Sequence, residues 1–196
     1  MAEYLVVDIG TSSLKAALIS ESAQLIAQEK VHLLSLPGAD LSAWDSQLWD
    51  QALESAVARL SPRGSIQGIA VSGNGPTMVP MAASGEAAGS AILWLGRDQA
   101  VTAPVGSSSY FLPQAAWLRN RKPEIFEKTT FFVTCPGYLS YRLTGNPCGI
   151  TPHDTFSPYL WDDEQILAWG LDRELFPPLV RTGERIGYNR AAGGLY

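Results

Sequence analysis

The residues between Tyr4 and Leu18 constrain the fold more than any other part of the sequence. Four apolar or aromatic residues run into Asp8, a glycine and three hydroxyl residues follow, and Lys15 lies near the start of a second apolar run. This pattern predicts two short β-strands joined by a tight polar hairpin. The hairpin offers backbone N–H groups, hydroxyls and a lysine to an anion, while Asp8 offers an oxygen to hydrated Mg²⁺. The combination suits a nucleotide phosphate. The alternative is a surface hairpin whose Asp8 and Thr11 only satisfy turn hydrogen bonds.

Composition places the chain among globular proteins. Its 196 residues are 46% apolar and 17% charged, which is enough for one sizeable domain or two small ones. The net charge of −5 argues against a nucleic-acid surface, which would need clustered basic residues. No apolar stretch has the length of a membrane span and no signal-peptide pattern is present, so we expect a cytoplasmic protein without a membrane partner. A zinc site is not expected, because no CxxC pair is present and histidine is scarce. Cys135 and Cys148 are expected to be free thiols, with a disulfide in an oxidising compartment as the alternative.

The order of predicted elements indicates an α/β domain with a mixed sheet. Strands are predicted at residues 4–9, 14–19, 24–33, 66–71, 77–81 and 91–94. Ser42 is predicted to cap a helix that runs to Leu60, because apolar residues recur there at helical spacing. The second half predicts mainly short helices, at residues 113–120, 123–128, 136–143 and 161–169. Three of these four have a proline near the start, where its fixed φ fits a helix.

Neither a P-loop nor a GxGxxG fingerprint is present, which lowers the case for P-loop and Rossmann proteins. Several segments instead resemble, in order, the N-terminal domain of the FGGY carbohydrate kinase family, most closely its xylulokinase-like members. The matching segments are residues 8–15, 68–73, 91–94 with 97–98, 138–145, 170–172 with 175–180, and 183–187. The most specific of them is Tyr-Leu-Ser-Tyr-Arg-Leu-Thr-Gly at residues 138–145. The resemblance implies an actin-like ATPase (ribonuclease-H-like) fold.

The activity implied by the resemblance is transfer of the ATP γ-phosphoryl group to a hydroxyl of a sugar or polyol, a xylulose-like ketose among the candidates. Such transfer depends on positioning and on neutralising phosphate charge. By resemblance, the residues for ATP and Mg²⁺ are Asp8, Gly10, Thr11, Ser12, Ser13 and Lys15. Asp8 would help to hold the metal ion, and the three hydroxyl residues would donate to the γ-phosphoryl oxygens. Lys15 has an equally good alternative as a surface charge.

The sugar-side residues implied by the resemblance are Asn74, Trp94, Arg97, Asp98 and Tyr110. Trp94 can offer a ring face to C–H groups and an N–H to a hydroxyl, but it could equally be a core tryptophan. Many xylulokinase-like members have Gln-Met-His-Gly where this chain has Asn74-Gly75-Pro76-Thr77, so xylulose specificity does not carry over with the family. Gly137 also replaces an aspartate of the family.

The family's general base is an aspartate in a glycine-rich turn, which is expected beyond Tyr196. Asp154 matches a different segment and is not that base. Residues 1–196 are therefore expected to be a truncated N-terminal domain without the C-terminal ATP-binding domain, inactive alone and able to self-associate as a homodimer. Two alternatives remain at this point. One is a degenerate, non-catalytic sugar- or protein-binding module, and the other is an actin-like or chaperone-like ATPase, against which residues 138–145 argue.

Overall fold

A four-stranded mixed sheet forms the centre of the molecule. The structure is a computed structural model that describes residues 2–62, 64–95 and 101–190. The strands are β1 (Glu3–Ile9), β2 (Ser13–Ser20), β3 (Leu25–His32) and β4 (Ile66–Gly73), in the spatial order β3-β2-β1-β4. The first three form an antiparallel meander, and β4 runs parallel to β1. The predicted meander and mixed sheet are confirmed.

One face of this sheet carries the larger hydrophobic core. Leu5, Val7 and Ile9 of β1 are buried, whereas Tyr4 and Val6 are only partly covered, because successive side chains point to opposite faces. Helix α1 (Gln47–Leu60) covers the buried face with its apolar stripe. This packing fixes the strand ends, and with them the hairpin, against a rigid layer.

The predicted start of α1 is wrong. The helix begins at Gln47, and Ser42 belongs to the turn before it. The carboxylate of Asp40 accepts hydrogen bonds from the backbone N and the hydroxyl of Ser42, at 2.8 Å and 2.7 Å. An aspartate that closes a turn in this way competes with helix initiation, so the helix starts one turn later than the pattern suggested.

A second, smaller strand pair lies beside the sheet. Strands β5 (Met78–Ala82) and β6 (Thr129–Thr134) are antiparallel. The strand predicted at residues 91–94 is wrong: Ile92 makes only an isolated bridge to Met78, and a turn at Trp94 and Leu95 ends the pairing. Strand β6 was not predicted, although its Thr-Thr-Phe-Phe-Val-Thr composition is typical of a strand.

Short helices make up most of the second half, as predicted. They are α2 (Leu112–Arg121), α3 (Pro123–Phe126), α4 (Cys135–Thr144), α5 (Ser157–Leu160) and α6 (Asp163–Ala168), and the first four carry a proline in their first turn. The helix predicted from Trp161 is wrong at its start. Trp161 is extended, its indole N–H donates to the carbonyl of Pro177 at 3.0 Å, and Asp162 caps α6 instead. Strands β7 (Gly149–Thr151) and β8 (Leu179–Arg181) form a parallel pair.

Both cysteines are buried free thiols, as predicted. Burial raises the pKa of Cys135 and raises that of Cys148 to about 11. Thiols with raised pKa values stay protonated at neutral pH and are poor nucleophiles or metal ligands. Among the described residues, no helix combines the length and hydropathy that a membrane span requires.

Candidate functional site

The β1–β2 hairpin is tight because its closing hydrogen bond lies within four residues. The backbone N–H of Gly10 donates to the carbonyl of Ser13 at 2.9 Å. A Cβ atom on residue 10 would lie 3.0 Å from that same carbonyl oxygen, so a glycine lets the turn close. Ser12 is exposed at the tip and Thr11 is half-buried. Ser13 is only 4% exposed, so its hydroxyl is not presented at the tip, and its phosphate role stays a prediction.

Asp8 and Lys15 face each other across the two strands of the hairpin. They are register partners of β1 and β2, with Lys15 Nζ 3.5 Å from Asp8 Oδ2, and both side chains are more than half exposed. No group of three or more histidine, cysteine or acidic side chains that could hold a metal occurs in the described residues. A single exposed carboxylate beside a polar hairpin does fit hydrated Mg²⁺, which keeps several waters and takes its other oxygens from phosphate.

Trp94 forms the wall of a cleft beside the hairpin tip. Its indole Nε1–H donates to Thr11 Oγ1 at 3.4 Å, and its backbone N–H donates to Thr77 Oγ1 at 3.4 Å. The cleft, called here the aromatic cleft, has a cavity volume of about 10 Å³, which is room for about one water-sized group. Its lining residues are Gly10, Thr11, Leu41, Trp44, Trp49, Asn74, Leu93, Trp94 and Leu95. The predicted phosphate side and the predicted sugar side therefore share one cavity.

Asn74 is the second predicted sugar residue that the structure brings to this cleft. Its backbone N–H donates to the carbonyl of Ile9 at 2.7 Å, which ties the turn after β4 to the end of β1. Its side-chain Oδ1 is buried and has no hydrogen-bond partner in the described part of the chain. An unsatisfied buried oxygen costs stability unless a ligand or water meets it.

Two tryptophans that line the cleft were not predicted as site residues. Trp44 is 2% exposed, and its ring centroid lies 6.1 Å from that of Trp49. The carbonyl of Trp44 accepts a hydrogen bond from the backbone N–H of Ala91 at 2.9 Å, which places this loop against the segment that carries Trp94. The helical spacing predicted Trp49 only as part of the apolar stripe of α1, and no local pattern in the sequence marks Trp44.

Tyr110 is not among the cleft-lining residues. Its ring stacks on that of Tyr159, with centroids 5.7 Å apart, and its backbone N–H donates to the carbonyl of Tyr159 at 2.9 Å. Gln114 provides a link to the cleft side, because its amide donates to the carbonyls of Tyr110 and Pro76. Arg97 and Asp98 lie outside the described residues, so their sugar contacts stay predictions. Asp154 pairs with Arg181, at 2.7 Å from its Nε.

Residues 138–145 form most of helix α4 and its C-terminal cap, and they connect this helix to α1. Tyr138 of α4 donates its hydroxyl to Asp50 Oδ2 of α1 at 2.7 Å, and Arg142 Nε lies 3.3 Å from the same oxygen. Arg142 also pairs with Glu86 at 2.8 Å. This set of four residues is called the α1–α4 brace. Tyr138 packs edge-on against Trp49, with centroids 5.6 Å apart, so the brace supports a wall of the cleft.

Asp50 is the titratable centre of the brace. Burial raises its pKa to about 6, while the hydrogen bond from Tyr138 and the charge of Arg142 act in the opposite direction. The pKa of Tyr138 is raised by burial and by the neighbouring carboxylate. None of the four brace residues lines the cleft, and the brace contacts the cleft wall through the packing of Tyr138 on Trp49.

Comparison with known proteins places this geometry in context. Residues 3–104 match the model of the FGGY family of carbohydrate kinases, N-terminal domain. The xylulose kinase of Lactococcus lactis is 28% identical over 97% of this chain and 44% of its own length. The L-fuculokinase of Haemophilus influenzae is 25% identical over 95% of this chain and 47% of its own length. The chain therefore spans less than half of these curated relatives.

Solved structures show the same fold. A xyloylose kinase from Brucella ovis superposes with a TM-score of 0.81 at 24% identity, over 96% of this chain and 45% of that one. The glycerol kinase of Plasmodium falciparum gives a TM-score of 0.79 at 15% identity, over 98% of this chain and 46% of that one. The predicted actin-like fold is confirmed. The family match over residues 3–104 shows that this chain belongs to the FGGY family of carbohydrate kinases and carries its N-terminal domain.

Proposed function

We propose that this chain is the sugar-binding half of an ATP-dependent carbohydrate kinase. The observation that carries the proposal is the contact between the two sides of the cleft, where Trp94 Nε1 donates to Thr11 Oγ1 at 3.4 Å. A phosphoryl acceptor on the aromatic side would then lie next to the hairpin that would hold the phosphate. The alternative of a non-catalytic module is not favoured, because the matched relatives carry kinase names.

On the phosphate side, the hairpin residues would hold ATP and Mg²⁺. Asp8 would take the hydrated metal ion through its exposed carboxylate, and the exposed hydroxyl of Ser12 with that of Thr11 would donate to phosphoryl oxygens. The metal ion neutralises charge on the transferring phosphate when it is bound. Lys15 lies 3.5 Å from Asp8, so its position suits either a phosphate contact or a partner that orients the carboxylate.

On the sugar side, a small polyhydroxylated ligand would lie against the mouth of the aromatic cleft, whose interior has room for about one hydroxyl-sized group. Trp94 is 49% exposed and can cover C–H groups with its ring, while Asn74 supplies a polar atom beside the end of β1. Gly75 and Pro76 offer no polar side chain where relatives carry a Met-His pair. A ketose such as xylulose is the first candidate because several matched relatives are named xylulose kinases. The cytoplasmic location and the homodimer stay predictions.

Isothermal titration calorimetry tests the binding half of the proposal. The protein would be titrated with D-xylulose, L-fuculose, gluconate and glycerol, which are the substrates named in the matched kinases. We expect binding of at least one of them. The absence of heat with all four, from a preparation with a cooperative unfolding transition, would overturn the proposal.

Turnover by the isolated chain tests the division of labour between the halves. We expect little or no sugar-dependent ATP hydrolysis by residues 1–196, because the proposed general base lies beyond Tyr196. ADP release would be measured with and without the best-binding sugar. Robust sugar-dependent turnover would show that these residues contain a complete active site and would contradict the predicted position of the base.

A further inference from the structure

Two residues that line the aromatic cleft each have a buried polar atom without a partner, and the chemistry of the two atoms is complementary. Trp44 Nε1 and Asn74 Oδ1 are both buried and make no hydrogen bond within the described part of the chain. Both residues line the same cleft. Trp44 is 2% exposed, so water at the protein surface does not satisfy its N–H.

The two atoms differ in what they need. An indole N–H can only donate a hydrogen bond, and an amide oxygen can only accept one. The neighbouring tryptophan at the cleft mouth does not share the deficit, because Trp94 Nε1 donates to Thr11. Buried polar groups are nearly always paired in folded proteins. Two unpaired atoms of opposite type, on two residues that line one water-sized cavity, therefore point to a missing oxygen atom that accepts from one and donates to the other.

A hydroxyl group is the smallest ligand group that meets both needs. Its oxygen accepts a hydrogen bond from Trp44 Nε1–H, and its O–H group donates a hydrogen bond to Asn74 Oδ1. A carboxylate or phosphate oxygen cannot donate to Asn74, and an ammonium group cannot accept from Trp44. The pair therefore selects neutral hydroxyl compounds over charged ones at this position.

We propose that Trp44 and Asn74 together form a hydroxyl-binding subsite of the aromatic cleft, and that Trp44 determines specificity for a sugar or polyol that carries a hydroxyl there. The proposal rests on the proposed function, because the ligand is taken to be the kinase's acceptor substrate. It adds Trp44, whose side chain no sequence motif marked. Without ligand, one ordered water takes the place of the hydroxyl.

The first test is a crystal structure of the chain grown without polyols. We expect one ordered oxygen within hydrogen-bonding distance of both Trp44 Nε1 and Asn74 Oδ1. A direct hydrogen bond between the two side chains, or a pocket with no oxygen density at a resolution that shows other ordered waters, would overturn the proposal. This readout does not depend on any sugar.

The second test is calorimetry on Trp44→Phe and Asn74→Leu with whichever of the four titrated compounds binds the wild type best. Each substitution should weaken binding about tenfold or more, because a buried substrate hydroxyl loses a partner. The matched control is Trp117→Phe on α2. Trp117 packs against a separate hydrophobic cluster that includes Leu112 and Trp161 and does not line the cleft, so affinity should stay unchanged.

Monodeoxy analogues separate a contact from a structural effect. One analogue should bind the wild type more weakly than the parent compound does. The same analogue should bind Trp44→Phe as well as it binds the wild type, because the hydroxyl that Trp44 would contact is already absent. Equal affinity of wild type and both variants would refute the subsite while the proposed function stands. Silence of the wild type towards every compound would refute the proposed function and, with it, the sugar as occupant.

Discussion

The indole nitrogen of Trp94 lies 3.4 Å from the hydroxyl of Thr11, although 83 positions separate them in the sequence. This contact joins the tip of the β1–β2 hairpin to the aromatic wall of the cleft. Sequence resemblance assigned the two residues to different ligands, one to phosphate and the other to sugar. Because of this contact, a shift of the hairpin tip would also move the Trp94 ring on the other side of the cleft.

Thr11→Val should separate ligand binding from stability. The contact is long and exposed, so the free energy of unfolding should change by less than about 0.5 kcal/mol. Sugar affinity should fall a few-fold, because Trp94 loses the group that orients its ring. Urea unfolding and calorimetry measure the two effects. Thr155→Val, at an exposed threonine outside the cleft lining, should change neither, and a matching loss of affinity there would remove the argument for the contact.

Gly10→Ala should open the hairpin. The new Cβ would meet the Ser13 carbonyl at 3.0 Å, so the turn must shift, and we expect a loss of about 1 kcal/mol in the free energy of unfolding. Gly75→Ala is the control, because a Cβ there has no neighbour within 4 Å. If both alanines unfold at the same urea concentration as the wild type, the close approach at Gly10 has no energetic weight.

Asp50 should make stability depend on pH between about 4 and 6. Its pKa is about 6 in the folded protein and about 3.9 in an unfolded chain, so unfolding favours the ionised form. The stabilisation from the protonated carboxyl is complete below about pH 4 and is lost as pH rises through about 6. Two units correspond to about 3 kcal/mol, an upper value for this group.

Asp50→Asn checks this dependence. The free energy of unfolding of the wild type should fall relative to that of the variant as pH rises from 4 to 7, measured by urea unfolding at each pH. Glu164→Gln, at an exposed carboxylate on α6, should run parallel to the wild type. Parallel curves for the wild type and Asp50→Asn would mean that Asp50 titrates as an ordinary surface acid.

Arg142→Met should be more costly than the loss of an exposed arginine pair. It leaves the Asp50 carboxylate without its cation and removes the 2.8 Å contact with Glu86, so we expect a loss of about 1–2 kcal/mol at pH 7. Arg59→Met, which breaks a 3.7 Å pair with Glu29, should cost about 0.5 kcal/mol or less. If the two variants lose similar amounts of unfolding free energy in thermal or urea unfolding, the brace contributes no more to stability than an exposed ion pair does.

The hairpin could be predicted because its signal is local. Alternation in β1 and a polar turn lie within fifteen consecutive residues, and the paired strands repeat the same period. Strand β6 has a β-branched and aromatic composition but no period-two alternation, since its last three residues are all buried, and it was not predicted. Residues 91–94 have strand-like composition, yet only Ile92 finds a partner, because pairing is decided by distant chain segments.

The aromatic cleft could be predicted only in part. Resemblance identified Asn74 and Trp94, but Trp44 reaches the cleft through a backbone hydrogen bond to Ala91, and no local pattern announces a contact of that kind. Tyr110 stacks on Tyr159 outside the lining of this cleft, and its contact with a sugar stays a prediction.

The α1–α4 brace gives the most recognisable segment of this sequence a structural role. Tyr138 and Arg142 commit their polar groups to Asp50 and Glu86, and neither lines the aromatic cleft. Tyr-Leu-Ser-Tyr-Arg-Leu-Thr-Gly is thus a scaffold segment, and finding it in another sequence would indicate the fold without indicating catalysis.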